Sequence, residues 1–139
     1  MNTNLRFAIS IHALALLALS KDPLTSEAIA GSVNTNPVVV RRTMANLREH
    51  GLVESRPGTN GGWRLLRAPG QIRLCEVYRS LEQEEVLAVH ANPDIHCPIG
   101  GHIKETLHTV FTTAQTQLES ALDQYTIADV LNDVLARGK

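Results

Sequence analysis

The chain has 139 residues, which suffices to bury one adequate core, so a single domain with at most an appended element is expected. Hydrophobic residues make up 43% and aromatics only 4%, a balance that favours helices packed through Leu, Ala, Val and Ile. The formal net charge of −1 hides an asymmetry, because residues 1–67 hold eight Lys/Arg against four Asp/Glu (net +4) and residues 68–139 hold five against ten (net −5); only the first half suits a polyanion.

Arg6 followed by "FAISIHALALLALS" has the outline of a secretion leader, but Ser10 and His12 interrupt it and the run is too short to span a bilayer. A buried first helix from Leu5 to about Ser20 is expected instead, closed by "KDP", where Pro23 forbids continuation. "LTSEAIAGSV" reads as a short second helix, capped by Thr25 or Ser26 with Glu27 in its first turn. "NTNP" then makes a tight turn, Asn36 capping a third helix that opens on Pro37 and runs to about His50, where Gly51 ends it.

After the third helix the pattern changes to a hairpin. "LVESR" and "WRLLR" alternate as strands, joined by "PGTNGG", whose Gly and Asn tolerate positive φ. Helix, short helix, turn, helix and basic ribbon together make a winged helix-turn-helix. Beyond Pro69, "IRLCEVYRSLEQEE" suggests a short strand or turn and then a helix with Leu74, Val77, Tyr78 and Leu81 on one face and Cys75 in the core. A loop-like stretch follows from about Glu85. A long helix from roughly Gly101 to Tyr125 then carries Ile103, Leu107, Val110, Phe111, Ala114, Leu118 and Leu122 at spacings of three and four. "TIADVLNDVL" closes the chain as a short amphipathic helix. The expected fold class is therefore mostly α with a small β-hairpin wing. Residues 1–82 are expected to form the winged helix-turn-helix, 83–100 a loop, and 101–139 the dimerisation helix with the C-terminal helix.

At about 100° per residue, Val40, Thr43, Met44 and Leu47 share the core side of the third helix. Val38, Arg42, Ala45 and Glu49 lie opposite, with Arg41 and Arg48 on one flank and Asn46 on the other. An Arg fork pairs with guanine or grips a phosphate, and Val or Ala touches a thymine methyl. Thr35 and Asn36, at the helix start, are expected to leave backbone N–H groups for a phosphate. Arg56, Arg64 and Arg67 of the wing would add backbone or minor-groove contacts. The alternative is that these arginines merely solvate a surface.

A winged-helix core would be complete by about Leu66, which leaves the seven-position stripe of the long helix for a partner. The same helix of a second copy would cover it by symmetry and present two recognition helices to a palindromic duplex site.

The segment "TNPVVVRRTMANLREHGLVESRPGTNGGWRL" resembles the recognition helix, "GLV" strand and glycine-rich wing of the Rrf2 family of bacterial winged-helix regulators, with Trp63 where the family has an aromatic. "VHANPDIHCPIG" is similar to the YwnA-like branch of that family, which also includes the iron–sulfur regulator IscR. The resemblance covers nearly the whole chain and implies a cytoplasmic, homodimeric transcription factor, usually a repressor. It places Val38, Arg41 and Arg42 toward DNA and Arg56 near the wing tip. Relatives commonly have Arg where this chain has Pro57, and some have an acidic residue where it has Arg41, so the operator does not carry over.

Cluster-bearing members hold their iron with three cysteines in the loop before the long helix, and here only Cys97 matches. No iron–sulfur cluster and no other metal or cofactor is expected. His90, His96, His102 and His108 recur at six-residue intervals, which share no helical face. Cys97 is left as a redox candidate ahead of a helix N-terminus, beside the opposing possibility of an inert thiol packed under the bend. A protein-interaction module without DNA binding and, more remotely, a small thiol enzyme are the rival functions.

Overall fold

The computed structural model describes residues 3–81 and 87–139. Helix α1 spans Thr3–Leu19 and buries Ile9, Ala13, Leu14 and Leu17. Ser10 is also fully buried, its hydroxyl donating to the Arg6 carbonyl one turn back at 2.8 Å, so it enters the core without an orphaned polar group. Helix α2, Ser26–Val33, is capped by Thr25, whose hydroxyl accepts from the Ala28 N–H at 3.1 Å. Asn34 ends it in the left-handed region at φ 63°, a conformation Asn adopts more readily than most residues.

Helix α3, Pro37–Glu49, opens on the expected Asn36 cap with Pro37 at its first turn. Its inner face is Val40, Thr43, Met44 and Leu47, all buried, as the helical period requires. Gly51 follows at φ +73°, donating to the Arg48 carbonyl at 3.0 Å, and turns the chain into the wing.

Strands β1 (Val53–Arg56) and β2 (Gly62–Leu65) pair antiparallel, with Glu54 opposite Arg64 and Ser55 opposite Trp63. A bridge from Leu24 tethers the ribbon to the body. Leu24 donates to the Trp63 carbonyl at 3.0 Å, and the Trp63 N–H donates back at 2.8 Å.

The core does not close at Leu66, which corrects one sequence-based expectation. Ile72, Leu74 and Val77 join the same cluster as Leu14, Ile29, Met44 and Leu52, and so does Ile127 from near the chain's end. Ile72 and Leu74 flank the start of helix α4, Leu74–Ser80, in which Cys75 is buried. The rest of the expected acidic helix end, Glu82 to Glu85, lies outside the described residues, as do the 82/83 boundary and the first part of the 83–100 loop.

Helix α5 runs Ile103–Leu122, and helix α6 runs Ile127–Arg137 behind a Thr126 capping box with Asp129. Backbone bonds from Leu74 N to Tyr125 O (2.9 Å) and from Ile127 N to Ile72 O (2.9 Å) draw the chain back, and α6 packs along α1. No α5 residue is buried. Along the apolar stripe, Val110 is 54% and Leu118 37% exposed, and Ala114 is exposed too. Ile103, Leu107, Phe111 and Leu122 are half-buried, Leu122 against the chain's own core. Polar contacts hold α5 to α4: the Gln115 amide donates to the Tyr78 hydroxyl at 3.0 Å, and Arg79 donates to Glu119 at 2.7 Å.

Candidate nucleic-acid interface

The Asn36 cap has a chemical consequence at the start of α3. Its side-chain oxygen accepts from the Val38 N–H at 2.8 Å, and the Thr35 N–H is taken by the Ala30 carbonyl at 3.1 Å. Pro37 has no N–H to offer. The backbone donors of Thr35 and Val38 are thus engaged within the protein, and the Asn36 backbone N–H, the Thr35 hydroxyl and the Asn36 side-chain amide are what the turn has left to offer.

Val38, Arg41, Arg42 and Arg48 are all exposed along α3, as the helical wheel anticipates. They are not equally free. Arg41 reaches Glu27 of α2 at 3.3 Å, a solvent-exposed pair of the kind that contributes little and is readily exchanged for a phosphate. Arg48 donates to Ser55 Oγ at 3.4 Å and lies 5.5 Å over the Trp63 ring, so its stem and charge are steered against the wing. Trp63 is itself held by an indole N–H bond to Ser26 Oγ at 3.0 Å. One aromatic therefore links α2, α3 and β2, a connection no single-element pattern in the sequence reveals.

In the wing, Glu54 carries the Arg64 guanidinium in a short contact and has Arg56 at 4.0 Å. Arg67 pairs with Glu76 at 2.7 Å, and its Nε is buried without a partner among the described residues. Arg67 therefore serves the junction with α4 more than the outer surface. Gly58 (φ +96°) and Gly62 (φ +135°) bend the tip.

The loop ahead of α5 is a tight bend. Asp94 accepts from His96 N–H (2.9 Å) through its side chain and from Cys97 N–H (3.2 Å) through its carbonyl. Cys97 is half-buried, and the backbone N–H groups of Gly100 and then Ile99 hold its thiol below the ordinary value. Burial pushes the Cys75 thiol the other way, against an opposing pull from Arg79. Among the described residues no three His, Cys, Asp or Glu side chains are placed to hold a metal ion.

A family model described as the Rrf2 iron-dependent transcriptional regulator matches residues 3–133. The chain belongs to the Rrf2 family. Similar proteins include YwnA of Bacillus subtilis (strain 168), named as an HTH-type transcriptional regulator, at 42% identity over 93% of this chain and 96% of that one. A transcriptional regulator from Lactobacillus plantarum has a solved structure that superposes with a TM-score of 0.82 at 28% identity, covering 96% of this chain and 92% of its own. T. potens IscR superposes at 0.70 with 25% identity, covering 93% and 85%. These Rrf2 relatives are regulators rather than enzymes, and the hairpin of this chain is the wing of a winged-helix fold. The family description names iron, but Cys75 in the core and Cys97 in the loop supply no thiolate set of the kind a cluster needs. Among the described residues no helix is long and apolar enough to cross a membrane.

Proposed function

We propose that this Rrf2 protein is a cytoplasmic, homodimeric DNA-binding repressor that reads a palindromic operator and works without an iron–sulfur cluster. The observation that carries the reading is the shared outward face of α3 and the tethered wing. It presents Val38, Arg41, Arg42 and Arg48 beside Arg56 and Arg64, with Thr35 and Asn36 at the turn. Val38 suits a base edge, and the guanidinium groups of Arg41, Arg42 and Arg48 suit guanine edges or phosphates. The open strip of α5, Val110, Ala114 and Leu118 with the half-buried Ile103, Leu107 and Phe111 beside it, is the surface a second copy would cover. Leu122 contributes to the rim of that contact while packing on its own core.

Cys97 is the proposed control point. Hydrogen peroxide would take two electrons from its thiolate, an S–O bond forming as the O–O bond breaks, to give the sulfenic acid and hydroxide, in a bend that abuts the proposed dimer helix.

The deciding measurement is binding of the purified protein to the duplex upstream of its own gene across salt, with and without hydrogen peroxide. DNA binding through six to ten phosphates loses on the order of 10³–10⁵ in affinity between about 50 and 200 mM salt. Salt-independent binding would instead favour a protein-interaction module. If Cys97→Ser and the wild type respond identically to peroxide, the redox control is wrong and the DNA reading survives.

A further inference from the structure

Arg6 belongs to none of the surfaces above, yet it lines a cleft of about 360 Å³ with Val39, Arg42, Thr43, Asn46 and Leu81. Two guanidinium groups from different helices thus border one space that, among the described residues, has no carboxylate in its lining. Among the described residues neither Arg6 nor Arg42 has an ion-pair partner, whereas Arg41, Arg56, Arg64, Arg67, Arg79 and Arg137 each do. The other polar groups of the cleft are already occupied. Thr43 donates to the Val39 carbonyl at 2.9 Å and Asn46 to the Ser80 carbonyl at 3.1 Å. What the cleft offers is two cationic forks, the donor type that suits a phosphate.

Its position selects which phosphate. Arg41 and Arg48 occupy the flank of α3 nearest α2 and the wing, while Val39 and Asn46 occupy the opposite flank, where Arg6 sits. A recognition helix in a major groove about 12 Å wide lies between two phosphate walls. The wing serves one. We propose that Arg6, with Arg42, is a phosphodiester clamp for the strand on the other side of the groove from the wing. This rests on the DNA-binding reading.

The test titrates the full chain with a random-sequence duplex, because a backbone contact acts on any sequence. Between about 50 and 200 mM salt, the wild type is expected to lose about 3.5-fold more affinity per bound subunit than Arg6→Gln, the share of one phosphate contact. Arg6→Lys, which keeps the charge, restores most of the slope, and Arg42→Gln lowers it as Arg6→Gln does. Thermal melts confirm that each variant is folded, and Arg42→Gln decides the matter if Arg6→Gln is not. An unchanged slope in Arg6→Gln beside a reduced one in Arg56→Gln overturns the clamp and leaves the DNA reading intact. Salt-independent binding by the wild type overturns both. Inorganic phosphate at matched ionic strength is expected to compete no better than chloride. Competition seen with the wild type and absent in Arg6→Gln assigns the cleft to a free anion instead and also overturns the clamp.

Discussion

At Gly62 two constraints coincide. Its φ of +135° disfavours any side chain, and a Cβ there would stand 2.6 Å from the Leu24 carbonyl oxygen, a backbone atom that cannot swing aside. Gly58, at φ +96°, has open space around its missing Cβ. Gly62→Ala is therefore expected to cost about 1–3 kcal/mol in urea unfolding and Gly58→Ala less, about 1 kcal/mol. Equal costs would mean that the Leu24 tether does not constrain the wing. The glycines of the turn are legible in the sequence because positive φ is a local demand. The tether is not, because a bond between residues 24 and 63 leaves no trace in the spacing of either segment. The same holds for Arg6, whose partner across the cleft lies 36 positions away.

Helical elements show the same division. Val40, Thr43, Met44 and Leu47 were readable as the inner face of α3 because a 3.6-residue period specifies which side is buried. The period does not specify against what. On α5 it marks one apolar stripe, whereas the structure uses Phe111, Gln115 and Glu119 toward α4 and leaves Val110, Ala114 and Leu118 open. The polar half of that contact is pH-sensitive. The hydrogen bond from Arg79, opposed by partial burial and helped by Gln115, holds the Glu119 carboxyl below the ordinary range. A depressed carboxyl contributes stability that is fully present above its unfolded value and is lost as pH falls through the folded one. NMR shifts of the Gln115 side-chain amide should report α5 loosening from α4 on acidification below that range. Glu119→Gln should abolish the transition, and a transition that persists in this variant would place the titrating group elsewhere.

For the whole molecule, the exposed strip of α5 makes the fold and the proposed dimer separately testable. Leu118→Glu alters a side chain that is 37% exposed in the single chain, so the monomer should keep its helical circular dichroism. Sedimentation should then show a monomer, with DNA affinity reduced by about tenfold or more as the second half-site contact is lost. A dimer that survives this substitution would relocate the interface. In contrast, Ile127→Ala removes fully buried methylene groups from the shared core and should cost about 2–5 kcal/mol in denaturant midpoint analysis, wherever the dimer contact lies.

The return of α6 to α1 also sets an order of events during synthesis. Chains generally fold from the N-terminal side as they emerge, at about 5–20 residues per second. Here the core that supports α3 includes Ile127, and the backbone bond from Ile127 to Ile72 closes it. The core beneath α3 therefore stays incomplete until Ile127 has left the ribosome. A chain truncated before Thr126 keeps α3 and the wing and lacks the Ile127 packing and the backbone bond to Ile72 that close the core beneath them.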